Sequence, residues 1–170
     1  ACTGYALLCY LGAGYDHRTP GKYKSTVAAA IDYLKSIQNE NGSFGVQARN
    51  YETAVCTMAL CEAYGLTNDV TLKGPAQKAV DHLISNQAKT DKYAYGLAWN
   101  YKAQNAARLD ASVSGWCIMA LKAAKSSGLD VGNSWEGAKE WVNAAWVAAN
   151  PNHEQLTAYD DSKFPYVWNA

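Results

Sequence analysis

Two kinds of helix-length segment alternate along the chain, and they differ in how their apolar residues are distributed. The first kind is apolar on nearly every side. Ala54-Val-Cys-Thr-Met-Ala-Leu60-Cys-Glu-Ala-Tyr-Gly65 recurs as Gly115-Trp-Cys-Ile-Met-Ala-Leu121 running to Gly128, and more faintly as Tyr5-Ala-Leu-Leu-Cys-Tyr-Leu-Gly12-Ala-Gly14. Each ends at a glycine, the residue best suited to the left-handed position after a last helical turn. A polar loop and a segment of the second kind follow each time: Lys22–Gln38, Pro75–Gln87 and Trp135–Ala149. These are amphipathic. In the middle one Ala76, Ala79, Val80, Leu83, Ile84 and Gln87 share a stripe, with Lys78, Asp81, Ser85 and Asn86 opposite. Gly74-Pro75 suggests a helix start with proline in its first turn, and Ser134 stands where it can cap the Trp135 helix.

A helix that is apolar all round must be covered on both sides, whereas one with a single stripe can face water. Consecutive pairs therefore predict an inner and an outer layer, and three pairs side by side predict a curved double-layered arc. The expected fold is all-α, with residues 1–150 forming one repeat domain of helix pairs at about 3–38, 51–87 and 111–149. Ser43–Val46 and Tyr93–Tyr101 alternate too briefly for strands and read as loops or a small ribbon. Residues 151–170 break the pattern and read as an irregular capping tail. Asn150-Pro151 ends the last helix, Asp160-Asp161 reads as a solvated turn, and Phe164-Pro-Tyr-Val-Trp168 is expected to pack back over the helices.

Composition changes what the core must be made of. Of 170 residues only 29 are Leu, Ile, Val or Phe, but 29 are Ala and 20 are aromatic, so the core is built from small and flat side chains. Fifteen basic and fifteen acidic residues cancel, which gives no reason to expect a nucleic-acid partner. No run reaches the roughly 20 apolar residues of a membrane span, no basic-then-apolar leader opens the residues given, and cellular location is not readable. The five cysteines contain no CxxC and sit in Ala/Leu-rich runs, so all five read as core thiols. Cys56 and Cys61 fall on different sides of one helix. His17, His82 and His153 lie in separate segments. The spacing asks for no metal and no cofactor.

Ala30-Ile-Asp-Tyr-Leu-Lys-Ser-Ile-Gln38-Asn-Glu-Asn-Gly42-Ser-Phe-Gly45 resembles the Gln-to-Trp repeat of squalene and oxidosqualene cyclases, with Phe44 where tryptophan is usual, and the phrase echoes at Ala79–Gln87. Together with the apolar helices, most of residues 1–150 is similar to the prenyltransferase and squalene-oxidase repeat superfamily, and more narrowly to its bacterial members. The resemblance implies an α/α toroid. A closed toroid takes about six helix pairs, so three imply half a ring, completed by a second toroid half or covered on its inner face by a second copy. The same toroid serves terpene cyclases, protein prenyltransferases, thioester-containing complement-type domains and some polysaccharide lyases, so the likeness speaks to fold more than to chemistry.

The cyclases start their reaction from an Asp-x-Asp-Asp-Thr motif. The nearest match is Asp110-Ala-Ser112-Val-Ser114, which keeps the first Asp but replaces the two central carboxylates, and a serine is far too weak an acid to protonate an alkene. The alternative role for Asp110 or Ser112 is to cap the helix that follows. The Asp-x-Cys pair of the prenyltransferase zinc site and the Gly-Cys-Gly-Glu-Gln thioester segment are both missing. What remains is a polar and aromatic rim. With the inner helices parallel, their N-terminal ends gather Arg49, Asn50, Tyr51 and Glu52 with Arg108 and Asp110, and the loop Trp99-Asn-Tyr101 lies between. Asp110, Arg49 and Glu52 are the candidates for catalytic groups, and Tyr51, Trp99, Tyr101, Arg108 and Ser112 for binding a carboxylate, a sugar or a prenyl chain. Alternatively Trp99 and Tyr101 seal the core and Arg108 pairs locally with Asp110. Tyr95, Trp116, Trp135, Trp141 and Trp146 read as core. The function expected is that of a toroid-type binding or scaffold domain without the hallmark catalytic motifs. The alternative is an enzyme acting on an isoprenoid or a polysaccharide, with part of its site outside this chain. A dry aromatic cavity would favour the isoprenoid ligand, an open groove with exposed Tyr and Trp the glycan.

Overall fold

The computed structural model describes residues 1–90, 96–102, 108–149, 164 and 166–168. Among them are six helices, α1 (Cys2–Gly12), α2 (Lys24–Ser36), α3 (Asn50–Thr67), α4 (Val70–Ser85), α5 (Ala111–Ser126) and α6 (Ser134–Ala149), and one two-residue ribbon, β1 (Leu109–Asp110) with β2 (Val167–Trp168). The fold is all-α, as the alternating pattern predicts. Tyr95, His153 and Asp160-Asp161 lie outside the described residues.

The apolar helices α1, α3 and α5 form one row, and α2, α4 and α6 pack beside them as their partners. The middle helix is the most enclosed. Ala54, Val55, Ala59, Leu60, Cys61 and Ala63 of α3 are all at 0 % exposure, because α1, α4 and α5 surround it. Small residues let these helices approach closely: a Cβ on Gly4 of α1 would lie 3.0 Å from the Val55 side chain. The row is parallel. Tyr5 meets Tyr51 at the starts of α1 and α3, while Leu11, Leu66 and Ser126 share a groove at the other end.

Helix ends follow local chemistry. At the end of α1, Gly14 (φ 82) lets Gly14 N–H reach the Leu11 carbonyl and Tyr15 N–H the Tyr10 carbonyl. Gly128 (φ 75) repeats this double closure after α5, with Gly128 N–H on Lys125 and Leu129 N–H on Ala124. Two expected boundaries move. α3 runs through Gly65 and turns at Asn68 (φ 51), and Gly65 is there for contact, since a Cβ would overlap the Ser127 hydroxyl. α4 begins at Val70, so Pro75 lies inside it and removes one backbone bond. The reason is Asp69, whose carboxylate accepts the Thr71 N–H at 3.0 Å and starts the helix before the proline. Ser134 does not cap α6 with its side chain: its hydroxyl donates to Gln87 Oε1 at 2.6 Å. Cys2 and Cys9, expected in the core, are exposed on α1, and Cys56, Cys61 and Cys117 are buried.

The same latch joins successive pairs. At the end of α2, Gln38 Nε2 donates to the carbonyls of Gly42 (3.3 Å) and of Pro75 in α4 (2.9 Å). At the end of α4, Gln87 Nε2 donates to the carbonyls of Leu97 (3.0 Å) and of Ser134 in α6 (3.0 Å). In the first copy Asn39 N–H bonds the Ser43 carbonyl; in the second, Ala88 N–H bonds the Ala98 carbonyl. That register makes Phe44 and Trp99 equivalent positions in successive copies. Phe44 N–H then donates to the Thr53 hydroxyl (3.2 Å) and Trp99 N–H to the Ser114 hydroxyl (3.0 Å), each one turn into the next inner helix. Thr53 and Ser114 are sixty-one positions apart, the same shift that aligns Ala54–Leu60 with Gly115–Leu121.

Asp69 also accepts from His17 Nε2 at 2.8 Å, tying the α1–α2 loop to the start of α4. The His17 contact, followed by those of Thr71, holds the Asp69 carboxyl well below the usual carboxylate range. A group depressed in the native state contributes stability above its unfolded pKa of about 3.9 and loses it as pH falls toward the native value. Asp69→Ala should therefore cost about 1 kcal/mol at neutral pH through the lost cap. Urea midpoints measured against pH should show the gap to the parent constant above the carboxylate range and closing in acid. A gap independent of pH would contradict the assignment.

Candidate functional site

The row of inner helices leaves one face free, and each helix turns a single stripe toward it. On α3 the stripe is Tyr51, Met58, Glu62 and Leu66; on α5 it is Ser112, Trp116, Met119, Ala123 and Ser126. Near the N-terminal ends Arg49, Tyr51, Glu52, Tyr101 and Ser112 line an open pocket of about 310 Å³. Near the C-terminal ends a groove of about 620 Å³ is lined by Leu11, Met58, Leu66 and Met119, with Glu62 and Lys122 among the apolar groups. Burial pushes the Glu62 carboxyl up.

The pocket end is organised by aromatic rings. Tyr51 and Tyr101 lie nearly parallel, with centroids 6.5 Å apart and 10° between planes. The Trp116 ring meets Tyr51 at 6.1 Å and Tyr5 at 5.2 Å, both at steep angles. Tyr5 donates its hydroxyl proton to Tyr51 Oη at 3.0 Å. Partial burial and that bond push the Tyr5 phenol up to about 12, so it stays protonated. Tyr101 is held in place by the start of α3: Asn50 N–H donates to its carbonyl at 2.9 Å, and Asn50 Nδ2 to the Asn100 carbonyl at 2.9 Å. Asn50 is buried, and its Oδ1 has no partner among the described residues.

The structure divides the rim residues expected from sequence. Arg49, Tyr51, Glu52, Tyr101 and Ser112 come together around the pocket. Trp99, Arg108 and Asp110 are not among its lining residues. Trp99 has no exposed surface, and its indole N–H donates to the Leu83 carbonyl at 2.7 Å, so it is a core residue that no ligand can touch. Asp110 is likewise at 0 % exposure. Its Oδ1 accepts from Ser112 N–H (3.0 Å), Val113 N–H (3.1 Å) and the Ser112 hydroxyl (2.9 Å), which caps α5. Its Oδ2 lies 3.5 Å from Arg108 Nη2, an ion-pair distance without hydrogen-bond geometry. A carboxylate spent on a helix start and closed to solvent cannot hand a proton to a substrate. Arg108 is exposed, and among the described residues it otherwise reaches Asn100 Oδ1, at 3.5 Å.

Tyr5, Met58, Glu62 and Met119 belong to the free face and were not singled out from sequence. Met58 and Met119 occupy the same place in the repeated phrase, and that coincidence was the available signal. Among the described residues no three His, Cys, Asp or Glu side chains gather as metal ligands. The buried thiols are poor nucleophiles: burial pushes Cys56 up to about 11, Cys61 up to about 12 and Cys117 well above its usual value. No described helix is long and apolar enough to cross a membrane. Set against models of known protein families, curated proteins and solved structures, the chain matches none of them.

Proposed function

We propose that this chain is a binding domain of the α/α-toroid type, that the free face of its inner helices is the ligand surface, and that the ligand engaging the Tyr51–Tyr101 pocket is a glycan. The observation that carries the reading is the pocket itself. Two near-parallel phenol rings, a guanidinium, a carboxylate and a hydroxyl stand open to solvent in about 310 Å³, room for a sugar ring to lie on an aromatic face while its hydroxyls find donors and acceptors. The repeated Gln38 and Gln87 latches, with Phe44 and Trp99 in the same register, support the toroid-type arrangement. Binding rather than catalysis is favoured because the one motif-like acid, Asp110, is buried and occupied. A second reading has its own observation: Met58, Met119, Leu66 and Leu11 give the far end of the same face an apolar floor suited to an isoprenoid chain.

Titration with cellohexaose, a galacturonate hexamer and farnesyl diphosphate separates the two. A saturable change in tryptophan emission, reporting Trp116, is expected with an oligosaccharide. Tyr101→Ala should weaken that binding roughly tenfold, about 1.4 kcal/mol. Saturation by farnesyl diphosphate alone, with methyl shifts at Met58 and Met119, would replace the glycan reading with the isoprenoid one.

A further inference from the structure

The aromatic rim does not end at the pocket. Tyr166 lies just past Ser112, and its side chain stands open to solvent at 60 % exposure. Its backbone is fixed. The Ala111 N–H donates to the Tyr166 carbonyl at 2.8 Å, and the β1–β2 ladder that follows pairs Asp110 with Val167 and Leu109 with Trp168. Ser112 gives its own hydroxyl proton to Asp110 Oδ1 at 2.9 Å, so the Tyr166 hydroxyl is the donor in the long 3.4 Å contact between Tyr166 Oη and Ser112 Oγ. Ser112 also lines the pocket that holds Tyr51 and Tyr101, and so joins Tyr166 to it. The other described ring of this tail is used differently. Phe164 meets Trp141 edge-on at 5.4 Å, whereas the Tyr166 ring stacks on no other ring among the described residues.

A single exposed aromatic is ordinary on a protein surface. Tyr166 is not a single one: it adjoins the Tyr51–Tyr101 stack, and strand bonds hold it there. A flat amphipathic ring on fixed backbone has only two side-chain torsions left to lose when a ligand settles on it. Tyr51 and Tyr101 stand on the α3 side of Ser112 and Tyr166 on the α5 side. Axes of packed helices lie roughly 8–10 Å apart, more than one pyranose ring covers. Resting on the glycan reading of the pocket, we infer that Tyr166 is a second stacking platform, so that the rim takes a chain of sugars laid across the starts of α3 and α5 and not one sugar alone.

Calorimetric titration with cellobiose against cellohexaose, and with the galacturonate dimer against its hexamer, tests this. The hexamer that saturates is expected to bind about tenfold or more tightly than its own dimer. Tyr166→Ala should remove roughly fivefold of that gain while leaving dimer binding and helical circular dichroism unchanged, and Tyr166→Phe should keep the gain, since the platform is the ring. Tyr101→Ala, inside the pocket, should weaken dimer and hexamer alike. Saturation by neither hexamer overturns the glycan reading and the second platform with it. A dimer that binds as tightly as its hexamer, or a length dependence that Tyr166→Ala leaves intact, overturns the second platform alone. Equal losses in Tyr166→Phe and Tyr166→Ala also overturn it, because the hydroxyl held to Ser112 would then be the group that acts.

Discussion

Trp99→Ala is expected to destabilise the protein by about 4 kcal/mol, the upper range for truncating a large core side chain. Two costs combine. The indole is entirely buried, so its removal opens a cavity between α4 and α5, and the Leu83 carbonyl loses the indole N–H donor. Trp99→Phe should cost far less, about 1–2 kcal/mol, because Phe44 holds the equivalent place one pair earlier with the same backbone bond to a hydroxyl. Urea unfolding of the two variants gives the comparison directly. A loss for Trp99→Ala no larger than that for Trp99→Phe would show that the ring is not the plug that joins these pairs.

The equivalence of Phe44 and Trp99 also marks where the sequence stops being readable. The inner helices are legible because nearly every side of α3 is apolar and must be covered, as Ala54, Leu60 and Ala63 are. The first latch is legible because Phe44 follows Gln38 by six positions within one turn. Trp99 follows Gln87 by twelve, so the second aromatic falls out of register on paper. It is recovered only when the Ala88–Ala98 and Gln87–Leu97 bonds align the loops. The start of α4 is hard to place for a related reason: a Gly-Pro signal competes there with an Asp69 cap that gains a long-range partner in His17.

The rim was half legible. Chain order puts Arg49, Tyr51 and Glu52 at a helix start, which is enough to group them. It does not say that Asn50 would draw Tyr101 across to stack on Tyr51, or that β2 would pair with Leu109–Asp110 beside the buried Asp110. Both depend on contacts fifty to sixty residues apart along the chain, for which local pattern carries no information. The cysteines make the same point. Cys9, between Leu8 and Tyr10, and Cys56, between Val55 and Thr57, both lie in apolar runs, and only their place in the row of helices exposes one and buries the other.

That long-range order is tightest, among the described glycines, at Gly42, and Gly42→Ala is expected to cost about 3 kcal/mol or more. The backbone there has φ 88, which alone penalises an L side chain by roughly 1–2 kcal/mol. A Cβ would in addition overlap the Lys78 carbonyl of α4, and neither side is free to withdraw. Gln38 clamps the loop to the Pro75 carbonyl in the same helix, and Phe44 N–H anchors it to Thr53. Gly45→Ala is the matched control: φ is 80, but nothing lies within 4 Å of the new Cβ, so only the backbone penalty applies. Urea midpoints that fall equally for the two variants would mean that the loop does not press on α4. Because the loop runs on through Phe44 to the start of α3, Gly42→Ala should also displace Arg49, Tyr51 and Glu52 and weaken oligosaccharide binding, an effect that Gly45→Ala should not share.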